Sequence, residues 1–92
     1  MTALLLVQAL SEDQAVRAVW ARPDVQAWAE RVRSHEGVRP VSLQAWNAGD
    51  VAWSVDLFES HADHLVRWAS FQADGRSGRL RRWNPERDAW GP

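Results

Sequence analysis

Near Pro40 the apolar residues change their spacing, from every third or fourth position to every second, and this switch restricts the class of fold. Before it, Val25, Trp28, Ala29 and Val32 fall at i, i+3, i+4 and i+7, a single helical stripe with Glu30, Arg31 and Arg33 on the other side. After it, Val41, Leu43 and Ala45 alternate with Ser42, Gln44 and Trp46. Val51, Trp53, Val55 and Leu57 then alternate with Ala52, Ser54, Asp56 and Phe58. A helix buries one stripe and a strand buries alternate residues, so helices come first and a sheet follows. Ninety-two residues make one domain, 1–92.

Local signals divide the two halves. Ser11-Glu12-Asp13-Gln14 is a capping box, with two acids placed where the helix dipole favours them. Val16, Val19 and Trp20 follow at helical spacing, and the helix is expected to end near Arg22, since Pro23 disfavours helical backbone in the residue before it. Pro23 also suits the first turn of a new helix, and Gly37 its C-terminal cap. Residues 11–36 are therefore one helix kinked at Pro23, or two short ones meeting there. Turn chemistry marks Asn47-Ala48-Gly49-Asp50, Ser60-His61-Ala62-Asp63 and Asp74-Gly75-Arg76-Ser77-Gly78. Between the turns lie four strands, the third (64–72) with apolar residues on both faces and so of open parity. Pro85 ends the fourth, and the tail is expected to be irregular, with Trp90 packing back. The expected fold is α+β: the N-terminal helix, kinked or split at Pro23, packed on one face of a four-stranded antiparallel meander, in two layers.

Composition narrows function. Seven tryptophans are many for this length, and each ring can bury about 150–250 Å², so some belong in the core and others at a rim or surface. There is no cysteine, hence no disulfide or thiolate chemistry, and a reducing, cytoplasmic setting is the expectation. The net charge of −1 argues against bulk steering to nucleic acid or an acidic membrane. All eleven basic residues are arginine, which fits either a GC-rich coding bias or a set of planar, stacking cations. No apolar run approaches the ~20 residues of a membrane span. Leu4-Leu5-Leu6-Val7 reads as a buried segment, with an edge strand preferred over a helical extension or an exchange between subunits; a trimmed secretion signal is the alternative.

Pro23-Asp24-Val25-Gln26-Ala27-Trp28 opening a helix, three strands, and then Asp74-Gly75-Arg76-Ser77-Gly78-Arg79-Leu80 resemble the PepSY-like small bacterial domains over roughly residues 15–84. Asp74, Ser77 and Gly78 match the Asp, Thr (as Ser) and Gly of that family's last hairpin, while Ala73 replaces its usual Val. The resemblance implies a cystatin-like helix-on-sheet architecture and a regulatory protein contact, with no catalytic residue.

No catalytic, cofactor-binding or metal-binding residue is assigned. His61 and His64 offer two ligands, fewer than zinc ordinarily takes, and read as part of a solvated turn. Ser77 lacks the strand-to-helix setting of a nucleophile elbow. Asp56 is expected to be solvated or paired with arginine on the outer face of the sheet. That face is the candidate interface. With the odd positions of the second strand inward, Trp46, Phe58, Arg67, Phe71, Arg79, Arg81 and Trp83 would interleave on the other side. Three readings stand: a ladder satisfied within the chain, an interface with a second copy or another protein, and a stacking platform for single-stranded nucleic acid, the last disfavoured by charge. The expected function is a non-enzymatic regulatory module acting by protein contact. The alternative is a small ligand held between helix and sheet by Trp20, Trp28, Trp53 and His64.

Overall fold

The computed structural model describes residues 10–47 and 52–92. Its elements are α1 (Glu12–Trp20), α2 (Pro23–Arg33), β1 (Arg39–Ser42), β2 (Trp46–Asn47), β3 (Ala52–Ser60), β4 (Leu65–Asp74), β5 (Leu80–Asn84) and β6 (Ala89–Gly91). The sheet runs β1-β3-β4-β5-β6 with β2 also beside β3, and every pairing is antiparallel. The α+β class holds, with six strands where four were expected. Leu43–Ala45 split the first expected strand in two, and the tail expected to be irregular pairs with β5. The Leu4–Val7 segment, Val51 and most of the 47–50 turn lie outside the described residues.

The N-terminal helix signals act as read, whereas α2 is capped by Ser34, three residues before the Gly37 expected to cap it. Gln14 N–H donates to Ser11 Oγ at 3.2 Å, and Ser11 N–H donates to Gln14 Oε1 at 2.9 Å. Pro23 opens a second helix rather than bending the first, and Gly37 takes φ +81° beyond its end. Val19, Val25, Trp28, Ala29 and Val32 from the helices pack against Val55, Leu57, Ala69 and Phe71 of the sheet. At about 25 cal/mol per Å² of apolar surface, this one-sided layer is the main stabilising contribution.

Two bulges break the ladders on either side of β3. Ser42 pairs with Leu57 and Trp46 with Ser54, so 43–45 oppose only Val55 and Asp56. The extra residue exchanges the faces: Ala45 is buried, and Leu43 is 49% exposed. On β4, Leu57 pairs with Ala69 and Phe58 with Arg67, leaving Trp68 as an added residue. An extra residue of this kind lets two successive side chains share one face and sharpens the local twist. Trp68 and Ala69 accordingly both face the helices. This overturns the outward placement of Phe71 alongside Arg67. Arg67 is exposed on the outer face, while Phe71, four residues on but beyond the bulge, is wholly buried.

Trp68 turned inward completes an aromatic column. Its ring stacks on Trp28 at 4.5 Å and 5°, and Trp28 meets Trp20 at 6.1 Å and 36°. Trp20 Nε1 donates to Ser42 Oγ at 3.0 Å, tying the column to β1. Each such pair is worth about 0.5–1.5 kcal/mol beyond its buried area. Trp68→Ala should therefore cost about 3 kcal/mol in urea unfolding. Ser70→Ala, on the outer face of the same strand, should cost less than about 0.5 kcal/mol. Equal costs for the two would remove Trp68 from the column.

Candidate functional site

β5 follows β4 only from Ala73–Leu80 to Phe71–Arg82. Beyond that pair the β5–β6 hairpin leaves, and among the described residues nothing pairs with the far side of β4 over 65–70. The hairpin is held in its own shape by Asn84, whose Oδ1 accepts from the Glu86 and Arg87 amides at 3.0 and 3.3 Å. Trp83 and Trp90 pair across it, edge to face at 5.3 Å. Between β4 and this hairpin lies a cleft of about 690 Å³. Its walls include Trp68, Trp83 and Trp90, with Arg67, Arg82 and Arg87, and no acidic side chain among the described residues lines it.

Arg82 is the best-fixed of the three cations. Its guanidinium lies 4.6 Å from the Trp68 ring centre, on a ring that also stacks on Trp28. Arg82 Nη1 donates to Asp24 Oδ2 at 3.2 Å. Asp24 also accepts from Arg22 through Nε at 2.9 Å and Nη2 at 3.1 Å, and Arg22 lies over the Phe71 ring at 4.9 Å. The Arg22 hydrogen bonds, helped by its charge and that of Arg82, hold the Asp24 carboxyl below its ordinary range against partial burial. Arg67 is looser, with its side chain 62% exposed and Asp56 Oδ2 at 3.9 Å.

The expected interleaved ladder is absent from the outer face. Phe71 is in the core, and Phe58, though on the outer side beneath Arg67, is only 9% exposed. Across the middle of that face run the pairs Ser54–Gln72 and Asp56–Ser70, which are polar. Trp46, at 55% exposure, stands apart beside Ser54, and Arg79, just before β5, and Arg81 on it are exposed. Of the seven residues expected there, Arg67 covers Phe58 on the outer side, and Arg67 and Trp83 both line the cleft. Trp68, Arg82, Arg87 and Trp90 were missed as site residues. A signal for the first existed in the sequence: apolar positions change parity between Trp68 and Ala69.

A smaller cavity of about 440 Å³ lies under α2, lined by Trp28, His35, Glu59, His61 and Trp68 among others. Trp20, Trp53 and His64 of the expected ligand pocket are not in its walls. Trp53 Nε1 donates to the Leu10 carbonyl at 2.9 Å, and His64 is exposed in its turn. His61 and His64 stack at 4.7 Å, each ring nitrogen held by a carboxylate, Glu59 at 3.1 Å and Asp63 at 2.6 Å. Ser77 and Asp74 serve their turn: Asp74 Oδ1 accepts from the Arg76 and Ser77 amides, Ser77 Oγ accepts from the Arg79 amide, and Gly78 has φ +73°. The amide of Arg76 chiefly, then that of Ser77, lowers the pKa of Asp74.

Comparison with known proteins gives no match: no family model, no curated protein and no solved structure matches this chain.

The Arg22–Asp24–Arg82 cluster carries a pH dependence. A carboxyl whose folded pKa is depressed stabilises the fold above its unfolded value, about 3.9, and loses that contribution as pH falls through the folded value. Asp24→Asn should therefore lower stability by about 1 kcal/mol at neutral pH, a modest figure because the pair is partly solvated. The difference between the two proteins should close as falling pH protonates Asp24 in the folded state, below the ordinary carboxylate range. Urea midpoints measured from pH 7 to pH 2 check this, and a constant gap at all pH values would contradict it.

Proposed function

We propose that this chain is a non-enzymatic, PepSY-like binding module that takes an extended segment of another protein along the free side of β4. One observation carries the reading: β4 pairs with β3 on either side of Trp68 from Leu65 to Ser70, while β5 leaves it at Arg82 and, among the described residues, nothing else pairs with that side. A strand with one unpaired side is a template for another strand, because its free amides and carbonyls hydrogen-bond most readily to extended backbone. The free stretch, six residues long, offers about 20 Å of edge at 3.4 Å per residue. Leu65 and Val66, exposed by 45% and 42%, stand at its start, and Trp68, Trp83 and Trp90 give side-chain pockets beside it. Aromatic residues and arginine are the types that concentrate binding energy at interfaces. Two helices on an antiparallel sheet, and a β4–β5 turn built by Asp74, Ser77 and Gly78, support the PepSY-like and cystatin-like architecture.

The cavity under α2, walled by Trp28, Trp68 and His61, supports a second reading, a small planar ligand. Such a ligand would quench Trp28 and Trp68 and be indifferent to changes along β4.

Panning a random peptide display library on the immobilised chain tests strand addition. Enriched peptides should shift the amide resonances of Leu65–Ser70. N-methylation of alternate peptide amides should weaken binding at least ~10-fold, since each removes a ladder hydrogen bond. Enriched peptides that tolerate N-methylation, or that shift only residues under α2, would overturn the reading, as would a failure to enrich any.

A further inference from the structure

The cleft's charge says which strand it takes. The chain as a whole is nearly neutral, at −1, yet among the described residues the walls of this cleft hold three arginines and no acidic side chain, and nearby carboxylates offset them only in part: Arg82 shares Asp24 with Arg22, and Asp56 lies 3.9 Å from Arg67. The positive field is local and concave, the arrangement that concentrates an anionic partner. Resting on the strand-addition reading above, we infer that the occupant is an acidic extended segment of another protein, with carboxylates on both of its faces.

The two-faced pattern follows from register. Arg67 sits on the outer side of β4, across from Phe58 and beside Asp56. Arg82 sits on the helix side of β5, over Trp68. A strand laid between them sends alternate side chains to these two sides. A carboxylate on the outer side meets Arg67, and one on the helix side meets Arg82, so the two acids are adjacent or three residues apart. Arg82 is already oriented by Trp68 and Asp24 and uses one of its five donors on Asp24. A fork held in place this way loses little freedom on meeting a carboxylate. Trp83 and Trp90 supply the apolar flank.

A second copy of this chain fits poorly along the same edge. Two copies would bring Arg67, Arg82 and Arg87 of each to one seam, where Asp24 and Asp56 offset only part of their charge. Like charges opposite one another across a strand pair are destabilising.

The test uses two short Val/Thr peptides, identical except that two adjacent Glu residues in one are Lys in the other, and a single-stranded oligonucleotide of similar length. The Glu peptide should bind at least ~10-fold more tightly than the Lys peptide at low salt, and the gap should narrow as salt screens it. Arg67→Gln should remove about half of that gap, the share of the outer carboxylate, while leaving the urea midpoint in place and the Leu65–Ser70 amide shifts intact. Equal binding of the two peptides, still shifting Leu65–Ser70, would overturn the acidic preference and leave strand addition standing. Binding of neither would overturn both. Tighter binding of the oligonucleotide, or self-association that masks the same amides, would overturn the choice of partner.

Discussion

Leu57 on β3 faces two successive residues of β4, Trp68 and Ala69, where a regular ladder would set one. That added residue is the constraint on which the rest of the molecule turns. It rotates a tryptophan from the outer face into the layer beneath the helices, where Trp20, Trp28 and Trp68 form one column. It also bends β4, as an extra residue in one strand of a pair does, so that β5 can follow only as far as Arg82. A domain of this size buries only about 60% of its unfolded surface, and three stacked indoles do the work of many aliphatic side chains. Core and cleft thus share an origin, and Trp68 has one face in each.

Arginine links the two. Arg22 and Arg82 both reach Asp24 at the start of α2, and both cover the Phe71 ring, at 4.9 and 5.8 Å. The helix layer, the sheet and the diverging hairpin meet at this cluster. A guanidinium can stack on an aromatic face while its edge donates hydrogen bonds, which an ammonium does less well. The absence of lysine from the chain is in keeping with that use of arginine at Arg22 and Arg82.

Much of the fold was legible because its signals are local. The Ser11–Gln14 capping box, the restart at Pro23, the αL glycines 37 and 78 and the Asp74–Ser77 turn each depend on a few neighbouring residues. The inward parity of Trp53, Val55 and Leu57 was legible too, because their alternation is unbroken. What escaped was set by tertiary contact. Leu43–Ala45 alternate correctly within themselves and still slip one step against β3. In β4 the periodicity from Val66 to Phe71 fits either face, and the stack on Trp28 decides. The tail looked irregular because Pro85 and Asp88 break the pattern, yet Asn84 folds them into a turn that returns Trp90 to Trp83. Reading Arg67 and Phe71 as one face placed the expected interface on the sheet's outer surface, and the bulge between them buries Phe71 and breaks up that ladder.

Residue-by-residue amide hydrogen exchange along β4 tests the central claim most directly. In a strand paired on one side, every second amide points to the partner and the others to open solvent. The account predicts strong protection for the amides of 65–70 that point to β3 and exchange as fast as in the Ala62 turn for those that point away. Protection should be continuous from Phe71 to Ala73, where β5 closes the other side. Continuous protection from Leu65 through Ala73 would contradict the bulge-driven divergence, and with it both the free edge and the cleft.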